Sequence, residues 1–389
     1  LGNEMAVPIK WNQRTDVFIS NRVMMGDQNQ ESPYFSFWDG GGYATNLYEG
    51  IRYCNIFLNN IKEVPDITSS EKKDYIAQVK FLKAYFHFLL IKNYGPIVIS
   101  DIELHANMEL EELANNRTPV DSCFNYVINL IDDAYDDLPF VRNINDYGQI
   151  TKIIAKAIKG KILLFSASPL FNGNSEYYRN FIDPQTQKPY FNLNYEDDKW
   201  LNASNELKEA IELAHDNGYQ LFETKEYYDY DLEIVEESKI MKYAYNNRYS
   251  IVEPWNKELI WGYSNINPSD ARSIQSACQV FDINAPNNYN YSYNYLSASQ
   301  NITEKFYTRN GVSMDEDKTY DYENKDSIIS MPNDNYHLGY LSTNHNDKII
   351  LQHTNREPRF YAWLAVDRSI WRTHAGTKYD IKMRYNESP

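Results

Sequence analysis

Apolar residues recur at helical spacing through the first half of this chain. Four stretches place them every three to four residues, the repeat that puts side chains on one face of an α-helix. They predict helices at 43–62, 71–93, 119–138 and 151–168. A fifth pattern predicts a helix at about 200–217.

Cap and turn residues mark the ends of these segments. Thr68 and Glu71 have capping-box spacing before the second helix. Thr118 is predicted to cap the third helix, with Pro119 at the first helical position, which proline favours. Gly160 lies in the middle of the fourth helix, where glycine costs up to ~1 kcal/mol of helix propensity. Gly160 therefore predicts a close crossing of two helices.

The order of the helices predicts how they pack. We expect antiparallel pairs, 43–62 with 71–93 and 119–138 with 151–168. Pairs of this length stacked side by side form a TPR-like solenoid. The strict TPR repeat signature is absent, so this prediction rests on the hydrophobic pattern.

The second half of the chain has a different character. From about 219 the helical repeat gives way to charged and Tyr-rich stretches, and 258–263 has the pattern of a short strand. Long irregular loops are predicted at 173–199 and 285–345, and such loops in compact proteins are often functional. The predicted fold is mainly α: a TPR-like helical solenoid of antiparallel helix pairs carrying large irregular loops and short strands.

The domain prediction follows from this change of pattern. We expect a single domain over 1–389, with a helical base at 43–217 and a loop-rich ligand-binding part at 218–389. The hydrophobic fraction of 42% is enough for a substantial core. No window reaches the ~18 uninterrupted apolar residues of a membrane-spanning helix.

Charge and motifs exclude several classes of function. The net charge of -16 argues against a protein that binds the nucleic-acid backbone, which needs a basic face. Cys54 and Cys123 are predicted to be small core residues, because the three cysteines form no metal motif or disulfide framework. No G-x-S-x-G, H-E-x-x-H or Walker motif occurs, so we expect no catalysis and no cofactor.

Single residues that could carry chemistry have simpler interpretations. His87 lies on an apolar helix and is predicted to be a satisfied core residue. Asp132 and Asp133 are predicted to be solvated helix charges rather than a glycosidase pair. One acidic group could surround calcium but lacks EF-hand spacing, so no metal site is predicted. Its members are Asp315, Asp317, Asp321, Asn324 and Asp326.

Tyrosine is the outlier of the composition, with 34 Tyr beside 17 Phe and 7 Trp. Helix cores seldom use so many, because each buried hydroxyl needs a partner. Tyr-rich loops offer flat apolar faces with polar tips, which suit sugar rings or peptides. Packing of these rings over the helical base is an equally open interpretation.

Six strings stand out when the segments are read in order. They are Tyr48–Leu58, Phe81–Pro96, Arg117–Pro139, Gly148–Leu164, Glu258–Trp261 and Glu357–Tyr361. Each by itself is little more than an amphipathic pattern. The ordered set, spread over about 43–365, resembles the SusD/RagB family.

The chain also departs from the family pattern. Lys83 stands where the family usually has Arg before Ala84. The last helical pair of the family, normally found further along, is not visible by Pro389. We therefore expect this chain to be incomplete at its C-terminus.

The resemblance implies a function in nutrient capture. It implies a lipid-anchored protein on the cell surface of a Gram-negative bacterium, with the anchor outside this chain, in contact with the outer membrane. The implied partner is a SusC-type TonB-dependent transporter, and the implied ligand is an oligosaccharide that is bound without catalysis. Three alternatives remain open: a peptide-binding RagB-like member, a helical protein–protein scaffold, and a glycoside hydrolase with two converging carboxylates.

The resemblance also suggests a ligand site in the loop before the first helix. There Trp38 would be the stacking platform and Arg22 a hydrogen-bond donor, with Tyr43 beside them. A second wall is predicted from four tyrosines at alternate positions, which share one face if the segment is extended. These are Tyr289, Tyr291, Tyr293 and Tyr295.

Overall fold

A computed structural model gives the fold of most of the chain. It describes residues 5–6, 22–23, 25–42, 44–105, 107–109, 116–223, 239–262, 296–334, 336–337, 339–342, 344, 346–372 and 378–383. The chain divides into two compact units. The helical unit comprises 28–220 with 259–263, and the mixed unit comprises the rest.

The helical unit contains the five predicted helices, with ends that differ from the predictions by a few residues. They are α1 (Leu47–Asn60), α2 (Ser69–Tyr94), α3 (Val120–Tyr135), α4 (Lys152–Ala167) and α6 (Asp197–Asp216). Between the last two lies the short helix α5 (Ser175–Tyr178). Single turns of 3₁₀-helix, Ile61–Glu63 and Ile144–Asp146, complete the loops.

Each long helix packs against the next along the chain. α1 contacts α2, α2 contacts α3, α3 contacts α4, and α4 contacts α6. The core between them is continuous and includes Ile51, Phe81, Ile91, Val127 and Ile162, which are almost fully buried. The prediction of a mainly α, TPR-like fold is confirmed.

Gly160 lies where α4 and α6 cross. A Cβ atom at this position would approach Leu207 Cδ2 to 2.7 Å, closer than side-chain atoms tolerate. The predicted close crossing is confirmed, and the loss of helix propensity at glycine is the cost of bringing the two helices together.

The start of α3 differs from the prediction. The capping box of Thr68 and Glu71 before α2 is present, but Pro119, not Thr118, is the residue that precedes the first turn of α3. The backbone N–H of Thr118 donates to Ile97 O at 2.7 Å. Because Thr118 is held in this extended bridge, the helix begins one residue later than predicted.

The predicted short strand at 258–263 is also wrong for its described residues, which form turns and bends. Trp261 anchors the segment through its side chain instead. Its indole Nε1 donates to Gly148 O at 3.2 Å, and its ring packs edge-on against Phe81 and Tyr85. A half-buried aromatic side chain, rather than a backbone ladder, fixes this piece of chain.

The irregular segment after α2 is bound by side chains of the helices. The hydroxyl of Tyr48 donates to Val98 O at 2.9 Å and accepts from Val98 N at 3.2 Å. The amide of Asn55 donates to Ser100 O and Ile102 O. Side chains thus supply the hydrogen bonds that the backbone of this segment cannot make with a neighbouring strand.

Lys83 extends the same arrangement. Its side chain is 3% exposed, and its ammonium donates to both the backbone carbonyl and the carboxylate of Asp101, at 2.9 and 2.7 Å. The hydroxyl of Tyr126 on α3 donates to the same carboxylate at 2.6 Å. One exposed loop carboxylate thus connects the loop to two helices.

His87 is a satisfied core residue, as predicted. Its Nε2 accepts from the Ser100 N–H at 3.3 Å, so the ring carries its proton on Nδ1, which donates to Lys83 O at 2.8 Å. Burial lowers the pKa of His87 to about 4. The predicted core cysteines Cys54 and Cys123 are likewise buried.

The mixed unit contains short elements joined by long loops. Its helices are α7 (Lys239–Val252), α8 (Gln300–Glu304) and α9 (Pro358–Trp363), and α7 packs against α9. Three antiparallel two-stranded sheets complete the described part. They pair β1 (Met5–Ala6) with β2 (Ser297–Ala298), β3 (Ile328–Ser330) with β4 (Lys348–Ile350), and β5 (Ile370–Arg372) with β6 (Lys378–Asp380).

Arg356 organises the mixed unit. It is 0% exposed, and its guanidinium donates to the carbonyl oxygens of Gln352, Thr303 and Phe306 at 2.8, 2.7 and 2.6 Å. The group also lies 4.6 Å from the centroid of the Phe360 ring. A single cation therefore satisfies three loop carbonyls, and burial lowers its pKa.

None of the helices in the described ranges is both long enough and apolar enough to cross a membrane.

Replacing Arg356 with Leu should strongly destabilise the mixed unit. The change leaves several buried carbonyls without donors. Each unpaired carbonyl costs about 1–3 kcal/mol, so we expect the free energy of unfolding to fall by more than ~3 kcal/mol. Urea-induced unfolding, monitored by circular dichroism, measures the free energy of unfolding. The matched control is Arg359→Leu. The Arg359 side chain is 53% exposed and pairs with Glu357 at the surface. This variant should therefore lose less than ~1 kcal/mol of unfolding free energy. Equal losses would contradict the organising role of Arg356.

His87 should make stability depend on pH. The folded pKa of about 4 lies below the ordinary 6.5, so the unfolded chain binds more protons between these values. The contribution of His87 is therefore complete above pH 6.5 and falls as the pH drops toward 4, by about 3 kcal/mol. Unfolding free energies measured at several pH values should lose this slope in His87→Gln. The same substitution at His105, whose side chain is 59% exposed, is the control, and an unchanged slope in His87→Gln would refute the assignment.

Candidate ligand-binding surface

Trp38 lies in the loop that leads into α1. Its ring is half-buried and meets the rings of Tyr48 and Tyr94 at 4.9 and 5.5 Å between centroids, both edge-to-face. Tyr48 comes from α1 and Tyr94 from the last turn of α2. Two helices therefore hold the indole in one orientation.

Arg117 completes this group. Its guanidinium carbon lies 5.0 Å from the centroid of the Trp38 ring, and its Nη1 donates to Pro96 O at 3.0 Å. A cation over an indole is attracted by the negative face of the ring. We name Trp38, Tyr48, Tyr94 and Arg117 the Trp38 cluster. Sequence reasoning missed Arg117 as a site residue, although it begins the Arg117–Pro139 string that contains the third helix.

The loop that carries Trp38 is fixed by backbone hydrogen bonds. The N–H of Phe37 donates to the hydroxyl of Tyr94 at 2.8 Å, and Phe37 O accepts from Leu47 N at 3.0 Å. Gly42 has a positive φ of 69°, and a Cβ atom there would lie 2.3 Å from Tyr34 O. Only glycine fits this close approach, so the triple glycine seen in the sequence closes the loop tightly.

The cluster combines groups that suit a polyhydroxylated ligand. Half-exposed aromatic rings offer apolar contact, and Arg117 offers N–H donors with a fixed geometry. Burial raises the pKa of the Tyr48 hydroxyl, so this group stays neutral, and it is already hydrogen-bonded to the Val98 backbone. Tyr48 therefore supports the ring of Trp38 and leaves the directional bonds to other groups.

The other predicted site residues belong to the mixed unit or fall outside the described residues. Arg22 belongs to the mixed unit, where its Nε lies 2.8 Å from a carboxylate oxygen of Asp27. Tyr43 and the four-tyrosine wall fall outside the described ranges. The combination of Trp38 with these residues in one site stays a prediction. The four tyrosines of the predicted wall are Tyr289, Tyr291, Tyr293 and Tyr295.

The acidic group at 315–326 is used for loop structure. Asp317 accepts hydrogen bonds from the side chains of Thr308, Thr319 and Asn310, and these bonds lower its pKa to about 2. Asp326 accepts from the Gln352 amide at 3.0 Å. Across the described ranges, no three His, Cys, Asp or Glu side chains are grouped so as to hold a metal ion.

Comparisons with known proteins identify the family. A family described as SusD-like, "Starch-binding associating with outer membrane", matches residues 11–164, and the SusD family itself matches 257–388. The two matches cover both units. The chain belongs to the SusD/RagB family. The resemblance seen in the six sequence strings is thereby confirmed.

Solved structures of SusD-like proteins share this fold. The protein BT4246 is 26% identical and superposes with a TM-score of 0.78, over 99% of this chain and 63% of its own. A SusD-like protein, BF3747 from Bacteroides fragilis, is 18% identical with a TM-score of 0.57, over 86% of this chain and 51% of its own. This chain thus spans less than two thirds of either relative. A search of the curated proteins found no significant match.

Proposed function

We propose that this SusD-family chain is the oligosaccharide-binding part of a cell-surface nutrient-uptake protein. The observation that carries the proposal is the pair of family matches over 11–164 and 257–388, the first to a family described as starch-binding and associating with the outer membrane. The protein captures a glycan and passes it to a SusC-type TonB-dependent transporter. It binds the glycan without cleaving it.

The Trp38 cluster is the proposed centre of the binding surface. The C–H face of a sugar ring gains apolar contact against the indole of Trp38, while the guanidinium of Arg117 donates to hydroxyls. The cluster is pre-ordered by α1 and α2, so little conformational entropy is lost on binding. Arg22, Tyr43 and the four-tyrosine wall belong to the proposal as further ligand-contacting residues that the sequence predicts.

Attachment to the membrane belongs to the proposal as well. A lipid anchor outside this chain would hold the protein on the outer membrane, and the helical unit would offer the transporter a broad rigid surface. Support comes from the family description, which associates its members with the outer membrane. Isolation of the full-length protein from membranes together with a large barrel protein is the direct check.

Substitution of Trp38 should weaken glycan binding. We expect Trp38→Ala to cost roughly 1–3 kcal/mol, or about 5- to 150-fold in Kd, because the stacking face is lost. Screening of the wild-type chain on a glycan array and, in parallel, on a peptide library first identifies the ligand. Isothermal titration calorimetry then measures the affinity for the glycan that binds most strongly. Product analysis of the same mixtures should show no released reducing ends.

Two variants separate binding from folding. Trp38→Phe keeps an aromatic ring between Tyr48 and Tyr94 and should retain most of the affinity. Trp200→Ala removes another surface indole, 39% exposed on α6, and should leave the affinity unchanged. Binding confined to the peptide library would favour a RagB-like peptide receptor. A lower Tm with unchanged affinity in Trp38→Ala would limit Trp38 to a structural role.

A further inference from the structure

A row of aromatic rings runs from the core of the helical unit to its surface. Phe124 on α3 packs edge-on against Phe171 at 5.3 Å, and Phe171 stacks on Phe191 at 6.1 Å between centroids. Phe191 lies flat against Tyr178, at 3.7 Å with an interplanar angle of 4°. Tyr177 follows at 6.4 Å from Tyr178. The buried end of the row fixes the orientation of the exposed end.

The outer rings of this row stand in solvent. Tyr177 is 74% exposed and Phe181 is 38% exposed, and Phe181 leans on the buried Tyr190 at 5.0 Å. The hydroxyl of Tyr177 makes no hydrogen bond within the described part of the chain, so it is available to a ligand. We name Tyr177, Tyr178 and Phe181 the aromatic shelf.

The loop under the shelf is rigidly built. Tyr190 N donates to Phe181 O at 3.1 Å, and an antiparallel bridge joins Ile182 to Pro189. At its tip the carboxylate of Asp183 accepts from Gln185 N at 2.9 Å and from the Thr186 hydroxyl at 2.6 Å. Exposed rings on an ordered loop need little reorganisation to bind a partner.

The loop lies beside the Trp38 cluster. The amide of Asn116 donates to Gln185 Oε1 at 2.6 Å, and the next residue, Arg117, lies over the Trp38 ring. A second contact involves Gly95, the residue that follows Tyr94 of the cluster. A Cβ atom at Gly95 would lie 3.1 Å from the ring of Phe191. The shelf and the Trp38 cluster are therefore adjoining parts of one unit.

Charge indicates which sugars could lie on the shelf. The four exposed acids Glu176, Glu196, Asp197 and Asp198 outnumber the two exposed cations nearby, Arg179 and Lys188. The whole chain carries -16. Polysaccharides with uronic acid or sulfate groups would be repelled.

We propose that the aromatic shelf is a second subsite for a neutral oligosaccharide, which extends the surface that begins at Trp38. This inference rests on the proposed function, because it needs a glycan as the ligand. Flat rings, two of which carry a phenol, match the alternating apolar and hydroxyl faces of hexose units. A protein partner on the same rings is the competing occupant, and the test separates the two.

Affinity electrophoresis of the full chain tests the subsite. The gels contain soluble starch, laminarin or yeast mannan as neutral polymers, and polygalacturonate as the anionic counterpart. We expect a neutral polymer to retard the wild type and polygalacturonate to leave it unretarded. Tyr177→Ala and Phe181→Ala should each weaken the retardation by about 2- to 10-fold, the range of a single aromatic contact.

Matched variants control for folding and for the hydroxyl. Tyr177→Phe keeps the ring and should keep most of the binding. Tyr75→Ala removes a tyrosine that is 41% exposed on α2 and should change nothing. Thermal unfolding of every variant is measured in parallel with the gels. Tyr177→Ala should leave the Tm unchanged, because the Tyr177 side chain is mostly exposed to solvent.

The outcomes distinguish the two proposals. If Trp38→Ala weakens retardation while Tyr177→Ala and Phe181→Ala do not, the shelf is not a subsite and the proposed function stands. If no neutral polymer retards the wild type and only peptides bind, both proposals fail. Unchanged glycan binding with an altered sedimentation coefficient in Tyr177→Ala would identify the shelf as a protein contact instead.

Discussion

Buried irregular backbone must find hydrogen bonds, and in this protein polar side chains supply them. The segment after α2 runs over the helices without a partner strand, and Tyr48, Asn55, Lys83 and His87 bind its amides and carbonyls. Arg356 performs the same task for the loops of the mixed unit. An unpaired backbone group in either place would cost as much as a typical destabilising mutation. Large loops on a helical scaffold are stable here because long polar side chains are buried beneath them.

This constraint also determines where ligand-binding groups can stand. The segment fixed by Tyr48 and Lys83 begins at Pro96 and is bridged to Thr118 through Ile97. These positions set Arg117 over Trp38. The loop of Phe181 is tied to α3, because Val120 N donates to Tyr190 O at 2.9 Å. Contacts with the helices thus hold the aromatic residues of these loops in fixed positions. Rigid placement of exposed rings is what distinguishes a recognition surface from loops that only cover a core.

The fold was largely predictable, and the details of its loops were not. Helical periodicity gave the five long helices of the helical unit, though not α7 of the mixed unit. Gly160 gave the close crossing of α4 and α6. Both signals are local in sequence. The start of α3 was missed by one residue, since Thr118 is held by Ile97, a contact between residues distant in sequence. The strand expected at 258–263 failed for a similar reason: the anchoring of Trp261 on Phe81 overrode a pattern typical of strands. Arg117 escaped notice because a lone basic residue before a helix carries no signal until its aromatic partner is known.

The ring row from Phe124 to Tyr177 bears on how such a surface can diverge among related proteins. Its inner members are closely packed, so substitutions there would disturb the whole unit. Its outermost ring touches little except Tyr178 and solvent. Substitutions at the outer positions can therefore change the chemistry of this surface while the scaffold stays intact. An architecture that separates a packed support from a replaceable tip lets one scaffold carry different surfaces.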